Sequence, residues 1–197
     1  LRGQAAPGTG GAVLGTLASP VLNGAGDAAF RGFLFGSGVT GSNDEAIFEE
    51  DAGALGLVAR EGDAAPGAGG AVFTAFGNPA LNDAGDAAFL GVLTGSGVTP
   101  ANDFAIFREA GGVLDSVLRE GDLLEVAPGD LRTLASLSLF RDFFNDDGEI
   151  AFTASFVGGG AGVFVASFDD AAGEAAIPLP APVLLPGAAV AGLGAVR

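Results

Sequence analysis

Asn82-Asp-Ala-Gly-Asp-Ala-Ala-Phe89 is one of three copies of a short phrase around which this chain repeats. The other copies are Asn23-Gly-Ala-Gly-Asp-Ala-Ala-Phe30 and Asn145-Asp-Asp-Gly-Glu-Ile-Ala-Phe152. Asn and Gly at this spacing favour a tight turn, because both tolerate positive φ at little cost. The acid, the apolar pair and the Phe that follow are typical of the start of a strand. Each copy therefore predicts a turn that leads into a half-buried strand, with Phe30, Phe89 and Phe152 in the core.

The repeat extends well beyond this phrase, and its first two copies are 59 residues apart. The segment Gly3 to Val13 matches Gly62 to Val72, and Arg60-Glu-Gly-Asp63 returns as Arg119-Glu-Gly-Asp122. A fixed period of this kind is the mark of a repeat architecture. We expect the chain to be a section of a longer array of such repeats.

Residues 1–168 divide into three repeats, at about 1–59, 60–118 and 119–168. The abundance of Gly favours turn-rich β structure over long helices. Four apolar segments separated by turn signals predict four strands in each of the first two repeats. In the second repeat these segments are 71–81, 86–94, 104–109 and 113–119. The third repeat carries an insertion at 123–130, which we interpret as a loop, and it lacks a fourth strand.

Four strands in about 60 residues is the content of one β-propeller blade. The sequence therefore predicts an all-β chain of antiparallel four-stranded repeats. Three blades do not close a ring, so the arrangement would be a partial β-propeller. The alternative is an open stack of small β-sheets.

The charge and the missing residue types exclude several classes of function. The formal net charge is −16, from 24 acidic residues against eight Arg, and such a field repels nucleic acid. The chain has no His, Lys or Cys, so it lacks the usual general base, the Schiff-base amine and the imidazole and thiolate metal ligands. We therefore predict no nucleic-acid partner, no catalytic residues and no enzymatic activity.

The acidic turns favour one metal ion, calcium. The second and third copies of the phrase place several hard oxygen atoms within a few residues, which suits Ca²⁺. The candidate ligands are Asn82, Asp83, Asp86, Asn145, Asp146, Asp147 and Glu149. The alternative, which we favour, is that these Asn and Asp side chains hydrogen-bond to their own turns.

The composition changes after Phe168. Residues 169–176 form a short acidic linker, and residues 177–196 carry no charge before the terminal Arg197. This uncharged stretch is nearly long enough to span a bilayer, but four prolines interrupt its first half. We expect residues 177–197 to be a separable tail that does not pack into the β core.

Two resemblances to known families rest on these motifs. The phrase Asn-x-x-Gly-x-x-Ala-Phe resembles the signature of bacterial choice-of-anchor tandem-repeat surface proteins. The stretch Ile177-Pro-Leu-Pro-Ala181, with the apolar run after it, is similar to the Val-Pro-Leu-Pro-Ala type of C-terminal sorting signal, a relative of the PEP-CTERM class. These resemblances imply export, membrane attachment through residues 177–197, and processing by a sorting protease. They imply no particular activity.

We therefore predict a non-enzymatic, extracellular or cell-surface module that serves in binding or display. Its partner would be an extracellular ligand or surface component. The alternative is a fragment of a secreted propeller hydrolase whose catalytic residues lie outside this segment.

Overall fold

A computed structural model describes residues 2–51, 53–140 and 143–168. Within these residues the chain forms thirteen β-strands, which are grouped in three antiparallel sheets. The prediction of an all-β, antiparallel chain is confirmed. The acidic linker and the uncharged tail predicted at 169–176 and 177–197 lie outside the described residues.

The first two sheets are meanders built from consecutive strands. Sheet 1 has the strand order β1-β2-β3-β4, with bounds Val13–Leu22, Ala28–Phe35, Glu45–Asp51 and Ala54–Arg60. Sheet 2 has the order β5-β7-β8-β9, and the short strand β6 also pairs with β7. Its strands are β5 (Val72–Phe76), β6 (Ala80–Leu81), β7 (Ala87–Thr94), β8 (Phe104–Ala110) and β9 (Val113–Arg119).

The first strand of sheet 2 is broken, although the sequence predicts one continuous strand over 71–81. The break covers residues 77–79, where Pro79 has no N–H to donate to a ladder. The Gly77 N–H still donates to the Leu90 carbonyl at 2.7 Å, so the chain leaves and rejoins the sheet edge. In sheet 1 the equivalent strand β1 stays continuous by means of two register shifts.

Sheet 3 also has four strands, in the order β10-β11-β12-β13. Their bounds are Leu123–Ala127, Asp130–Ser138, Ile150–Phe156 and Ala161–Ala166. The interpretation of the insertion at 123–130 as a loop is wrong, because it forms the β10–β11 hairpin. Leu124 and Val126 alternate with more exposed residues and are buried in the core of this sheet, which is the physical reason for a strand here. The sheet therefore gains a strand at its leading edge.

The three sheets pack face to face. Ile47 and Ala59 of sheet 1 share one core cluster with four rings of sheet 2, those of Phe73, Phe76, Phe89 and Phe107. The same arrangement recurs one repeat later, where Ile106 and Leu118 of sheet 2 pack with sheet 3 side chains that include Phe152 and Phe164. Sheets 2 and 3 thus each present a Phe-rich face to the aliphatic face of the sheet before it.

The three Phe residues of the repeated phrase are buried, as predicted. Phe30, Phe89 and Phe152 are 4%, 0% and 2% exposed. Each stacks on a Phe of the neighbouring strand, at centroid distances of 5.6 to 5.8 Å, with partners Phe48, Phe107 and Phe164. The repeated phrase therefore supplies the centre of each core.

A repeated Arg at the end of β4 and β9 holds the surrounding loops. Arg60 donates to the carbonyls of Asn43 at 2.9 Å and Thr9 at 3.1 Å. Arg119 donates to the carbonyls of Asn102 and Ala68 in the same way. The Arg of the repeated Arg-Glu-Gly-Asp motif is therefore explained by backbone carbonyls that need a donor.

Candidate functional site

Each of the three acidic turns is closed by its Asn side chain. In the first turn Asn23 Oδ1 accepts the N–H groups of Gly26 at 2.9 Å and Asp27 at 2.8 Å. Asn82 Oδ1 accepts the N–H of Asp86, and Asn145 Oδ1 accepts that of Glu149, each at 2.8 Å. These are the self-capped turns that the sequence analysis favours.

The three turns are also bonded to one another, in a row that crosses the stacked sheets. The Gly24 N–H donates to Asp83 Oδ1 at 2.5 Å, and the Asp83 N–H donates to Asp146 Oδ1 at 2.9 Å. Asn23 Nδ2 adds a bond of 3.0 Å to the Asn82 carbonyl. We call this row of bonds the turn ladder. It places the second residue of each turn against the turn before it.

The predicted calcium ligands lie in the second and third turns, where most have protein partners. The carboxylate of Asp86 forms a 2.6 Å salt bridge with Arg108, and that of Glu149 accepts hydrogen bonds from Asn145 and Ser167. Asp147 is exposed. The part of the chain that the structure describes holds no group of three or more His, Cys, Asp or Glu side chains arranged for a metal ion. Calcium binding stays a prediction.

Beside the turn ladder runs a groove of about 670 Å³. Apart from Leu90, its walls come from the residues that directly precede the three turns, and therefore from equivalent positions of the three repeats. The lining residues are Ser19, Pro20, Val21, Leu22, Gly77, Asn78, Pro79, Ala80, Leu81, Leu90, Leu139, Phe140, Phe143 and Phe144. Its volume lies in the range of ligand clefts, and most of its side chains are apolar, while polar atoms supply slightly more than half of its exposed surface.

Two side chains of the groove are largely open to solvent. Leu22 is 73% exposed and Phe140 is 65% exposed. Single exposed apolar residues are ordinary, but these two line the same groove, where they could contact a partner together.

The backbone of the groove is held in an unusual shape. Ser19 has φ of 52°, and among the described residues it is the one non-Gly residue with positive φ. Such a conformation costs energy for a residue with a Cβ and tends to occur at functional sites. Directly before the Gly77 segment of the groove, the Phe76 carbonyl accepts a hydrogen bond of 2.8 Å from Arg31, which also pairs with Glu45 at 3.1 Å. Arg31 therefore fixes the chain where β5 breaks.

A second cluster of titratable groups lies between sheets 1 and 2. The carboxyl groups of Glu49 of β3 and Glu109 of β8 lie near each other, and both are largely removed from solvent. Burial, together with the negative charges of Glu109, Asp51 and Asp86, raises the pKa of Glu49 to about 8. The Glu109 carboxylate also accepts the Gly112 N–H at 2.5 Å. Neither Glu lines the groove.

Comparison with known proteins places the chain in a family. Residues 1–180 match a family of unknown function (DUF7453). The chain belongs to this family. The match spans all three sheets of this DUF7453 member, and the family description assigns no activity or ligand. No curated protein and no solved structure matches the chain.

The sequence patterns described above predict neither the groove nor the Glu49–Glu109 contact. A signal for the groove exists, since Leu22, Leu81 and Phe144 place an apolar residue directly before the Asn in all three copies. That pattern also fits a buried strand end, so it does not by itself predict a groove. The contact between the two Glu residues has no sequence signal, because they do not occupy equivalent positions in the repeat.

Proposed function

We propose that this DUF7453 member is a non-enzymatic binding module whose ligand sits in the groove. One observation carries the proposal: all three repeats contribute residues to one groove, in which apolar side chains are exposed beside polar atoms. A purely structural surface would gain stability if Leu22 and Phe140 were buried or polar, since exposed apolar area is costly in water. Their exposure is what a ligand site requires.

The same groove supports a partial propeller as the architecture. The groove is lined by the edge of sheet 2 at β6 and by the ends of β1 and β11. Strands β4 and β9 lie at the opposite edges of their sheets. Blades of a propeller bring their inner strands together in this way around a central channel. In an open stack of sheets, the other arrangement considered, the groove would be a surface cleft with the same lining.

Peptide selection tests the binding proposal. A display library of short random peptides is selected on the wild-type chain and, in parallel, on the double variant Leu22→Ser and Phe140→Ser. We expect related sequences to be enriched on the wild type and to lose binding on the groove variant.

A matched control carries Val113→Ser and Val163→Ser, because these side chains are 59% and 69% exposed but lie outside the groove. The control should bind the selected peptides as well as the wild type does. Equal binding by the groove variant would show that the groove is not the site.

We further propose that the module acts outside the cell or on its surface, attached through residues 177–197. The support is the resemblance of the Ile-Pro-Leu-Pro-Ala stretch to sorting signals and the absence of charge over 177–196. Among the described residues, no helix is long and apolar enough to cross a bilayer.

Fractionation tests the attachment. A secretion-directed chain with residues 177–197 should be found with membranes, whereas a chain ending at 176 should be released. The deletion should leave the melting temperature almost unchanged, because we expect the tail to be separate from the β core. Release of both chains would contradict the anchor.

The hydrolase alternative stays a prediction as well. It requires catalytic residues outside this segment, so a longer chain with a hydrolytic activity that the present segment lacks would favour it.

A further inference from the structure

We propose that the outer edge of strand β13 is a second binding surface, separate from the groove, which takes an extended segment of a partner protein as an added β-strand. The first two sheets show the kind of segment that fits. In each of them an outer strand, β4 or β9, fills the position beside the equivalent strand, whereas β13 is the last strand of sheet 3. The lining of the groove contains no residue of β13.

The repeats align β13 with β3 and β8. Phe164 of β13 pairs with the Phe of the repeated phrase, as the equivalent rings of β3 and β8 do. Val163, the residue before it, therefore corresponds to Ile47 and Ile106. Both Ile residues are fully buried, and each has an apolar residue of the outer strand as its partner in register. Val163 is 69% exposed, and within the part of the chain that the structure describes it has no such partner.

The backbone of β13 presents hydrogen-bonding groups to this edge at alternate residues. The Phe156 N–H donates to the Gly160 carbonyl at 3.1 Å, and this bond sets the alternation along the β12–β13 hairpin. The N–H and C=O groups of Ala161, Val163 and Val165 therefore point away from β12. These are the groups that an added strand would bond.

The outer strands of sheets 1 and 2 use the same backbone positions. Phe104 of β8 corresponds to Ala161, and its carbonyl accepts the Glu120 N–H at 2.9 Å. In sheet 1 the Glu45 carbonyl accepts the Glu61 N–H at 2.9 Å. In both sheets the donor directly follows the outer strand. A strand added at β13 would thus repeat a pairing that occurs twice in this chain.

Strand β13 lacks the features that protect a sheet edge. Its sequence, Ala161-Gly-Val-Phe-Val-Ala166, contains no charged residue and no Pro, and its register with β12 is regular. Charges, Pro and bulges are the common means by which an edge avoids pairing with another chain. Strands β4 and β9 each end in Arg and are irregular in register, and β10 carries Glu125. Strands β1 and β5 are hydrogen-bonded to the loops before them.

The comparison with β4 and β9 also indicates the chemistry of the partner segment. It should run antiparallel to β13 and place an apolar side chain beside Val163, as Ala59 and Leu118 do for their partners. Main-chain bonds would supply affinity, and this side chain would supply specificity. A second copy of the chain is disfavoured as the occupant, because two chains of net charge −16 repel each other.

A fluorescein-labelled peptide with the sequence of residues 113–120, which contains β9, tests the proposal on the full chain. The control peptide carries an N-methyl group on the Leu that corresponds to Leu118. In β9 this N–H points towards β8, since Leu118 lies two residues before the donor Glu120. Methylation removes the donor and keeps the side chain. Fluorescence anisotropy should show binding of the unmethylated peptide about tenfold more tightly, as for one lost hydrogen bond.

Amide hydrogen exchange and two variants locate the bound peptide. Binding should slow exchange at Val163 and Val165 and leave Phe164 unchanged, because the Phe164 N–H already bonds to β12. Val163→Pro should abolish binding, since Pro has no N–H to donate at the edge. Val163→Thr is the matched control, because it keeps both the N–H and the branched shape, and it should bind more tightly than Val163→Pro. Melting curves check that both variants are folded, and the exchange pattern of the wild type decides the point if Val163→Pro is not.

Four outcomes would overturn the proposal. They are absence of peptide binding, equal binding of the two peptides, protection of amides away from β13, and loss of binding in the groove variant Leu22→Ser with Phe140→Ser. The last would place the peptide in the groove. Analytical ultracentrifugation covers the remaining occupant: a dimer that Val163→Pro converts to a monomer would assign the edge to a second copy and exclude the partner strand.

Discussion

The backbone N–H of Asp83 donates a hydrogen bond of 2.9 Å to Oδ1 of Asp146 in the next repeat. The Gly24 N–H makes the same bond to Asp83. The second residue of a turn therefore caps the turn before it, and the stacked sheets are joined at their turns as well as through their cores. Gly24 has room for this contact because a Cβ there would lie 2.9 Å from both carboxylate oxygens of Asp83.

Removal of the Asp83 carboxylate should weaken the stack. We expect Asp83→Ala to lower the free energy of unfolding by about 1 kcal/mol, as for the loss of one hydrogen bond. Asp83→Asn should cost less, because its amide oxygen can still accept from Gly24. Urea unfolding measures both. Asp147→Ala is the control, since it removes the same charge from the adjacent turn; an equal loss there would assign the effect to charge alone.

Truncation of a buried Phe side chain should lower the free energy of unfolding far more than truncation of a Phe side chain in the groove. Phe89 is fully buried between sheets 1 and 2, so Phe89→Ala should cost about 3–5 kcal/mol. Phe140→Ala should change the free energy of unfolding little, because this ring is mostly exposed. Denaturant unfolding of the two variants decides the point, and similar losses would contradict the assignment of the core.

Gly91 is required by close packing of rings. A Cβ at this position would lie 2.8 Å from the Phe107 ring and 3.0 Å from the Phe73 ring. Gly91→Ala should therefore destabilise the fold by about 1–3 kcal/mol through overpacking. Gly56→Ala in β4 is the control, because its nearest neighbour would be 3.7 Å away. Equal melting temperatures for the two variants would argue against the packing around Gly91.

Glu49 should make stability depend on pH. Its pKa is raised from 4.5 to about 8, so the folded state holds a proton that the unfolded state releases over that interval. Stability from this group is therefore complete below about pH 4.5 and is lost as the pH rises through about 8.

Glu49→Gln, which mimics the protonated form, should raise the melting temperature at high pH and leave it nearly unchanged at low pH. Glu50→Gln is the control, because it removes an equal charge from the next residue, whose side chain lies on the other face of the strand. If the melting temperatures of Glu49→Gln and of the wild type change with pH in the same way, Glu49 is not the source of the pH dependence.

Calcium binding remains to be tested by thermal melts. If the turns at 82–86 and 145–149 bind Ca²⁺, a hundredfold excess over Kd should stabilise the fold by about 2.7 kcal/mol. Mg²⁺ should replace it poorly, since it demands stricter octahedral geometry. Asp147→Asn should weaken the effect, because this acid is unique to the third turn. Equal stabilisation by Mg²⁺ or NaCl would indicate screening, and the turns would then be structural only.

Much of the fold could be predicted because it depends on residues that are near one another in sequence. The Asn and Gly of each phrase specify a turn, and the short apolar run after Asp86 specifies strand β7, whichever sheet lies next to it. The loop predicted at 123–130 fails for a related reason. A short alternating segment such as 123–127 becomes a strand only when a neighbouring edge and a core are available to it, and local pattern does not reveal either.

By itself, the sequence determined the repeat period, the capped turns, the antiparallel strands and the three buried Phe residues. Only the tertiary structure decided which of these units meet. Glu49 and Arg108 occupy equivalent positions of the first and second repeats, yet Glu49 contacts Glu109, the residue after Arg108. Successive residues of a strand point to opposite faces of its sheet, and one face of each sheet packs against the opposite face of the next sheet. The turn ladder and the groove arise in the same way. Both depend on how one sheet lies over the next, which follows from side-chain packing across the interface and has no counterpart in the spacing of residues along the chain.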